Sequence, residues 1–389
     1  MTNYKDVRFL APAILLVLVI LILTTFEGGE LQIRVVFPSS PTKQQSLEMA
    51  TLPELPPRED AMFLQDTTPP AHIPLTDDMH RPETLTLTHP PPPDMPSKIF
   101  PLPEDMDQNY VDITEESQVG DTPFFWHVAK SAGSTSKSMY AQCAGLVVAC
   151  EVGGREGHDR EPELAVVEMN QGLKYLNVNL STKEGMERAG RLGMVESGLA
   201  EIIITSHIEP LTELFSPEYR GRMFSLFRHP VERVVSLFYY LQTATWEHTY
   251  DPIYATMTLD DYANSNFVES NILVRLLSKN PESPISQEDI ALSKEFIRRK
   301  CLIGLVTHME ESIERFNAFF GIVMDEVCRE DYVSEKRIGA NKHSHPPIER
   351  PSATWDKLAR KNWADIILYE YVIELFMEQG HMFRADAPQ

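Results

Sequence analysis

The sequence predicts an α/β domain built on a mostly parallel sheet flanked by helices, in its C-terminal two thirds. Three observations carry this. First, short β-branched or aromatic runs at 124–128, 201–205 and 222–227 are too brief and too apolar for amphipathic helices. Second, each run ends in polar residues, and apolar residues at helical spacing follow the last of them. Buried strands alternating with such helices pack as a parallel sheet covered on both faces. Third, Lys130, His207 and Arg228 each fall at or just past a strand end, where ligands bind in folds of this kind.

The chain of 389 residues begins with a short tail, 1–8, carrying Lys5 and Arg8. Phe9 to Phe26 is an apolar stretch broken only by Pro12, Thr24 and Thr25. As a helix it would span roughly 27 Å, close to the hydrocarbon thickness of a bilayer. Lys5 and Arg8 before it, with Glu27 and Glu30 after it, put the N-terminus in the cytosol. A cleaved signal peptide is the alternative, although its apolar region is usually shorter. The expectation is a retained transmembrane helix over 9–26.

Residues 27–121 hold more than half of the 29 prolines, including Pro90 to Pro93, and 18 acidic residues against 5 basic ones. So little apolar surface cannot offset the entropy of ordering. The segment reads as a disordered stem, reaching ~55 Å as a flexible coil. Residues 122–389 then form the domain that the stem holds away from the membrane.

The whole chain carries −22, of which the stem accounts for −13 and the first 26 residues for +1, leaving −10 on 122–389. Such a domain has no basic stripe for nucleic acid. Its four cysteines, Cys143, Cys150, Cys301 and Cys328, suit an oxidising lumen. Pairing Cys143 with Cys150 and Cys301 with Cys328 is one of three possibilities, and spacing does not choose between them. No CxxC pair is present, so a zinc site is not expected. The acidic run Met309 to Glu314 fits a solvated helix face better than a metal site. Asn179-Leu180-Ser181 is a glycosylation sequon.

Phe124 to Val128 is the first strand, and it runs into Ala129-Lys130-Ser131-Ala132-Gly133-Ser134-Thr135, a loop of small and hydroxyl residues around one lysine. Ser136 to Gln142 reads as the opening of a helix. Strand, loop and helix N-terminus together make an anion cradle, because the first helical N–H groups have no internal partners. His127, inside the strand, reads as a core histidine. The charged, irregular stretch Gly153 to Gly193 reads as an insertion. Glu201 to Thr205 is the second strand, closing on Ser206-His207. Arg222 to Phe227 is the third, followed by Arg228-His229-Pro230. After Pro230, which suits the first helical position, Val231, Val234, Val235, Phe238 and Leu241 recur at helical spacing.

These segments resemble, in order, the motifs of sulfotransferases that use 3′-phosphoadenosine 5′-phosphosulfate (PAPS). The loop Ala129 to Thr135 looks like their 5′-phosphosulfate loop. Arg228 followed eight residues later by Ser236 looks like their 3′-phosphate motif. Thr205-Ser206-His207 is similar to the strand-end histidine of the uronosyl 2-O-sulfotransferase branch, and Ile303 to Ser312 to the strand and helix that close the nucleotide site in Golgi carbohydrate sulfotransferases. The sequence departs from the pattern at Ala129, at Ala132 where many members have glycine, and at His229 where aspartate is usual.

The resemblance implies a P-loop-like sulfotransferase fold and a type II Golgi membrane protein with a luminal catalytic domain. Its reaction would be transfer of a sulfuryl group from PAPS to a glycan or glycoprotein hydroxyl, without a metal. Lys130 would neutralise the departing phosphate. Ser131, Gly133, Ser134 and Thr135 would hold the 5′-phosphate, while Arg228 and Ser236 hold the 3′-phosphate. His207 would be the general base. In related enzymes a late polar loop closes over the nucleotide, which brings in Arg337 or Lys342.

Three rival readings remain. A P-loop kinase or NTPase would place its lysine after the last glycine, whereas Lys130 precedes Gly133. A membrane-tethered glycan-binding protein that kept the fold without the activity is the second. A sulfotransferase acting on protein tyrosine is the third.

Overall fold

A computed structural model of the chain describes residues 21–27, 30–36, 100–169, 172–247, 249–333 and 345–383. The chain divides into two units, 1–89 and 90–389.

In the first unit, β1 (Leu21–Glu27) pairs antiparallel with β2 (Glu30–Val36), Glu27 standing opposite Glu30. This corrects the expected helix over 9–26 in its last six residues, which are strand. Ile22, Thr24 and Thr25 are β-branched, and the Gly28-Gly29 dipeptide between two such runs is a hairpin signal. Residues 1–20 lie outside the described residues, as does nearly all of the expected stem as far as residue 99. Among the described residues no helix is long and apolar enough to cross a membrane.

The second unit opens with α1 (Glu104–Asn109), β3 (Thr122–Trp126), α2 (Gly133–Gln142), β4 (Val147–Ala149), α3 (Val152–Glu156), β5 (Val166–Glu168) and β6 (Lys174–Leu176). It continues with α4 (Lys183–Arg191), β7 (Ile202–Thr205), α5 (Ile208–Thr212), β8 (Gly221–Phe227), α6 (Pro230–Leu241), α7 (Leu259–Asn264) and α8 (Ile272–Ser278). Then come α9 (Gln287–Lys300), β9 (Cys301–Leu305), α10 (Met309–Phe320), α11 (Glu326–Val333), α12 (Ala353–Lys361) and α13 (Trp363–Gln379).

Seven strands form one sheet in the order β5-β6-β4-β7-β3-β8-β9. Every neighbouring pair is parallel except β5 with β6. The central strands are apolar on both faces because both are covered. Phe124, Trp126, Ile203, Met223 and Ile303 pack into one cluster with α4, α8, α9 and α13. Phe125, Ile202, Ile204, Phe224 and Leu302 pack into another with α2, α10 and α11. Each such side chain contributes roughly 1.5–3 kcal/mol over an exposed one. The mostly parallel α/β reading therefore holds. Gly153 to Gly193 is not simply an irregular insertion, since it supplies β5, β6 and α4, with Tyr175 and Leu176 buried in the sheet.

The folded unit begins earlier than residue 122. Leu102, Met106, Tyr110, Val111 and Ile113 are buried, and Tyr110 bridges to Gly221. Its ring lies among Phe124, Phe215 and Phe296. The last part of the expected stem, 100–121, is thus a packed strap. Proline and acidic residues hid an apolar stripe at i, i+4 and i+8 (Leu102, Met106, Tyr110). Five of those acids are ion-pair partners: Asp107 and Asp112 face Arg299 and Lys300, Asp105 faces Lys279, and Glu115 and Asp121 face Arg220.

One disulfide is present, Cys143–Cys328, tying the end of α2 to α11 with Cα atoms 5.4 Å apart. The pairing of Cys143 with Cys150 and Cys301 with Cys328 is therefore corrected. Cys150 and Cys301 are free and buried, the first just past β4 and the second opening β9.

Candidate functional site

The site is built on the carboxyl ends of β7, β3 and β8, which are adjacent in the sheet. The His127 N–H extends the pairing past β3 by donating to the Thr205 carbonyl at 2.9 Å. The chain then turns sharply. Lys130 and Ala132 both lie in the left-handed region, at φ 65° and 61°. Alternating handedness of this kind resembles that of an anion-binding nest, while the Ser131 N–H donates to the Val128 carbonyl at 3.2 Å. α2 starts at Gly133, three residues earlier than expected, because Ala132 takes the cap position without a side-chain bond. A side chain at Gly133 would place its Cβ 1.7 Å from His127 Cδ2, so only glycine fits there. Burial, with Lys137 nearby, pushes the His127 imidazole down to about 4, which keeps it neutral under the loop.

Ser131 is 1 % exposed, and its hydroxyl is buried without a hydrogen-bond partner. Ser134 and Thr135 fall in the first turn of α2, the first half-buried and the second buried.

Arg228 stands one residue past β8. Its Nη1 is 3.5 Å from the Lys130 carbonyl oxygen, and its Nε is 3.7 Å from Glu232. Beneath it, the Ser225 hydroxyl donates to the Trp126 carbonyl at 2.8 Å and fixes β8 against β3. His229 caps α6: its Nδ1 accepts from the Val231 N–H at 3.2 Å. Packed beside Trp355 and Tyr369, it is pushed down to about 3 by burial and then by the Arg350 charge. A neutral imidazole thus performs the capping that an aspartate could perform.

Along α6, Glu232, Ser236 and Tyr240 recur every four residues and share one face. Both ends of that face are anchored at the loop. Glu232 meets Arg228, and the Lys130 ammonium lies 3.8 Å from the centre of the Tyr240 ring. Half-buried Ser236 lies between the two anchors. Burial, and next the positive charge of Arg228, lower Lys130 from its usual range to about 8. Burial also lowers Arg228, partly offset by Glu232.

His207 is exposed at the cap of α5, directly past β7. Trp126 Nε1 donates to the Ser206 carbonyl at 3.2 Å, and the His207 N–H to Thr205 Oγ1 at 3.2 Å. Three adjacent parallel strands therefore deliver His207, Lys130 and Arg228 to one sheet edge, Lys130 in the middle. Ile303 to Ser312 forms β9 and the start of α10, where Ser312 Oγ accepts the Leu305 N–H at 2.9 Å.

Three residues at the site had no recognised signal in the sequence. Tyr240 reads there only as part of a helix, and Tyr369 as part of α13. Arg350 stacks 3.4 Å from the centre of the Trp355 ring, and Glu232 and Tyr369 act electrostatically on both it and Arg228. Arg350 thus shares two electrostatic partners with Arg228. Lys342 and Arg337 lie outside the described residues. Among the described residues no group of three or more His, Cys, Asp or Glu could hold a metal ion.

No protein-family model matches this sequence, and no curated protein matches it. Fold and geometry define a class: an α/β protein whose parallel strands bring two cations, a hydroxyl-bearing loop and a histidine to one edge.

Proposed function

We propose that this protein is a PAPS-dependent sulfotransferase that transfers a sulfuryl group to a glycan hydroxyl. One observation carries the reading: Arg228 reaches the Lys130 carbonyl, and its positive charge adds to burial in lowering the Lys130 ammonium's hold on its proton. Holding like charges together in a cleft costs free energy, and a polyanion bound between them offsets it. The orphaned Ser131 hydroxyl and the left-handed loop fit a phosphate on the Lys130 side. Arg228, with its planar fork, fits the second phosphate of a doubly phosphorylated adenosine.

PAPS supplies the sulfuryl group when bound. Lys130 stabilises the charge that develops on the phosphate oxygen as sulfur leaves. Ser131, Gly133, Ser134 and Thr135 hold that phosphate, and Arg228 with Ser236 holds the other. His207, on the neighbouring strand end, takes the proton of the acceptor hydroxyl. The Cys143–Cys328 disulfide supports an oxidising compartment, for which we propose the Golgi lumen.

Radiolabelled PAPS with a panel of desulfated polysaccharides tests the reaction. His207→Ala is expected to abolish turnover, while the affinity for 3′-phosphoadenosine 5′-phosphate (PAP) stays within about twofold of wild type. Lys130→Ala should lower kcat on the order of 10²–10³-fold, the usual cost of one preorganised charge-stabilising donor. A chain that neither binds PAP nor labels any polysaccharide would sink the reading.

A further inference from the structure

Beside Lys130 the chain carries an aromatic corner that the proposed chemistry does not use. Trp246 is 68 % exposed, whereas Trp126 and Trp355 are buried. A single exposed aromatic is unremarkable in itself, but the place of this one is not. The Lys130 ammonium lies 3.8 Å from the centre of the Tyr240 ring, and the Tyr240 and Trp246 ring centres are 6.2 Å apart at 75°. These two steps keep the Trp246 ring within about 10 Å of the ammonium nitrogen. That is within the reach of a short oligosaccharide whose reacting hydroxyl sits at Lys130. The turn that carries the indole is held: the Glu247 N–H donates to the Ala244 carbonyl at 3.0 Å, and Ala244 is buried.

We propose that Trp246 is an acceptor platform for an uncharged pyranose ring adjoining the sugar to be sulfated; the inference rests on the sulfotransferase reading. A pyranose has one face of C–H bonds, which an exposed indole covers while the ring hydroxyls stay in water. Charge selects the sugar. Tyr240 donates its hydroxyl to Glu247, so a carboxylate stands next to Trp246, and Glu247 also acts on Lys130. Arg155, whose charge reaches Tyr240, is paired with Glu151 at 3.1 Å. Among the described residues the nearby cations are already engaged, Arg155 with Glu151 and Lys130 over the Tyr240 ring, so a uronate at this subsite would face Glu247, whereas a neutral hexose meets no such cost.

Calorimetric titration of the full chain, with and without PAP, using a β-linked neutral hexose tetrasaccharide and a hexuronate tetrasaccharide, tests this. The neutral sugar should bind more tightly than the uronate. Trp246→Ala should weaken neutral-sugar binding about tenfold, the size of one good aromatic contact, and Trp246→Phe should retain most of it. PAP affinity should be unchanged in both variants, since the indole is exposed and outside the phosphate cradle. Equal binding by wild type and Trp246→Ala, no neutral-sugar binding at millimolar concentration, or tighter binding of the uronate overturns the platform. Sugar binding through Trp246 in a chain that does not bind PAP would support the platform and sink the sulfotransferase reading instead.

Discussion

At Ala132 the backbone sits at φ 61°, a region that costs a residue with a side chain roughly 1–2 kcal/mol. Glycine pays no such cost, though it loses about 0.5–1 kcal/mol of chain entropy. Ala132→Gly is thus expected to leave stability unchanged or raise it by up to about 1 kcal/mol, with the loop's shape intact. Denaturant melts would check this, and a loss above 1 kcal/mol would show that the Ala132 methyl packs more than it strains. Lys130 gives the second prediction at this scale. Held down to about 8, its ammonium loses its proton as pH rises through that value, so kcat/KM for PAPS should fall about tenfold per pH unit above it. Lys130→Arg stays charged, so its slower reaction should lack this alkaline limb. An identical limb in the arginine variant would assign the titration to another group.

Among the elements, the Cys143–Cys328 bond is the one long-range covalent tie, joining α2 to α11 across 185 residues of sequence. Cys328→Ser should cost about 2–4 kcal/mol. In the native state, Cys150 and Cys301 should be silent to a thiol reagent, since burial pushes both thiols up and hides them. Unfolding without reductant should then expose two thiols; four would mean that the bridge is absent. The pairing was not legible because spacing says nothing about which strands separate two cysteines. The strands themselves were legible: apolar runs such as Ile202 to Ile204, and Met223 to Phe227 with Ser225 its one polar residue, announce burial on both faces. So was α6, from Pro230 and the valine spacing after it. α1 was hidden, because its short apolar stripe sits in a proline-rich, acidic setting whose charges are met by cations far along the chain, among them Lys279, Arg299 and Lys300. At the site, strand-end residues could be read in advance because topology carries them there. Tyr240 and Arg350 could not, since each arrives through a contact between distant elements.

For the whole molecule, the two histidines under the cleft decide how it responds to acid. His127 and His229 are held neutral, at about 4 and about 3, mainly by burial. In the unfolded chain each imidazole binds a proton below about 6.5. Between pH 6.5 and those lower values the unfolded state therefore holds more protons, and stability falls as pH falls. By pH 4 each histidine removes about 3 kcal/mol of stability. Buried Asp365 acts in the opposite sense. Burial raises it to about 6, so the folded state takes up its proton first and regains roughly 3 kcal/mol over the same interval. The net expectation is a loss of about 3 kcal/mol from pH 6.5 to pH 4, before the ion-paired carboxylates protonate. His229→Asn keeps a side-chain acceptor for the Val231 N–H and removes one titration. Its denaturation midpoint should thus depend on pH less steeply than wild type, by about one proton between pH 6 and 4. If both proteins follow the same slope, His229 is already protonated in the folded state, and its neutral capping role at α6 is wrong.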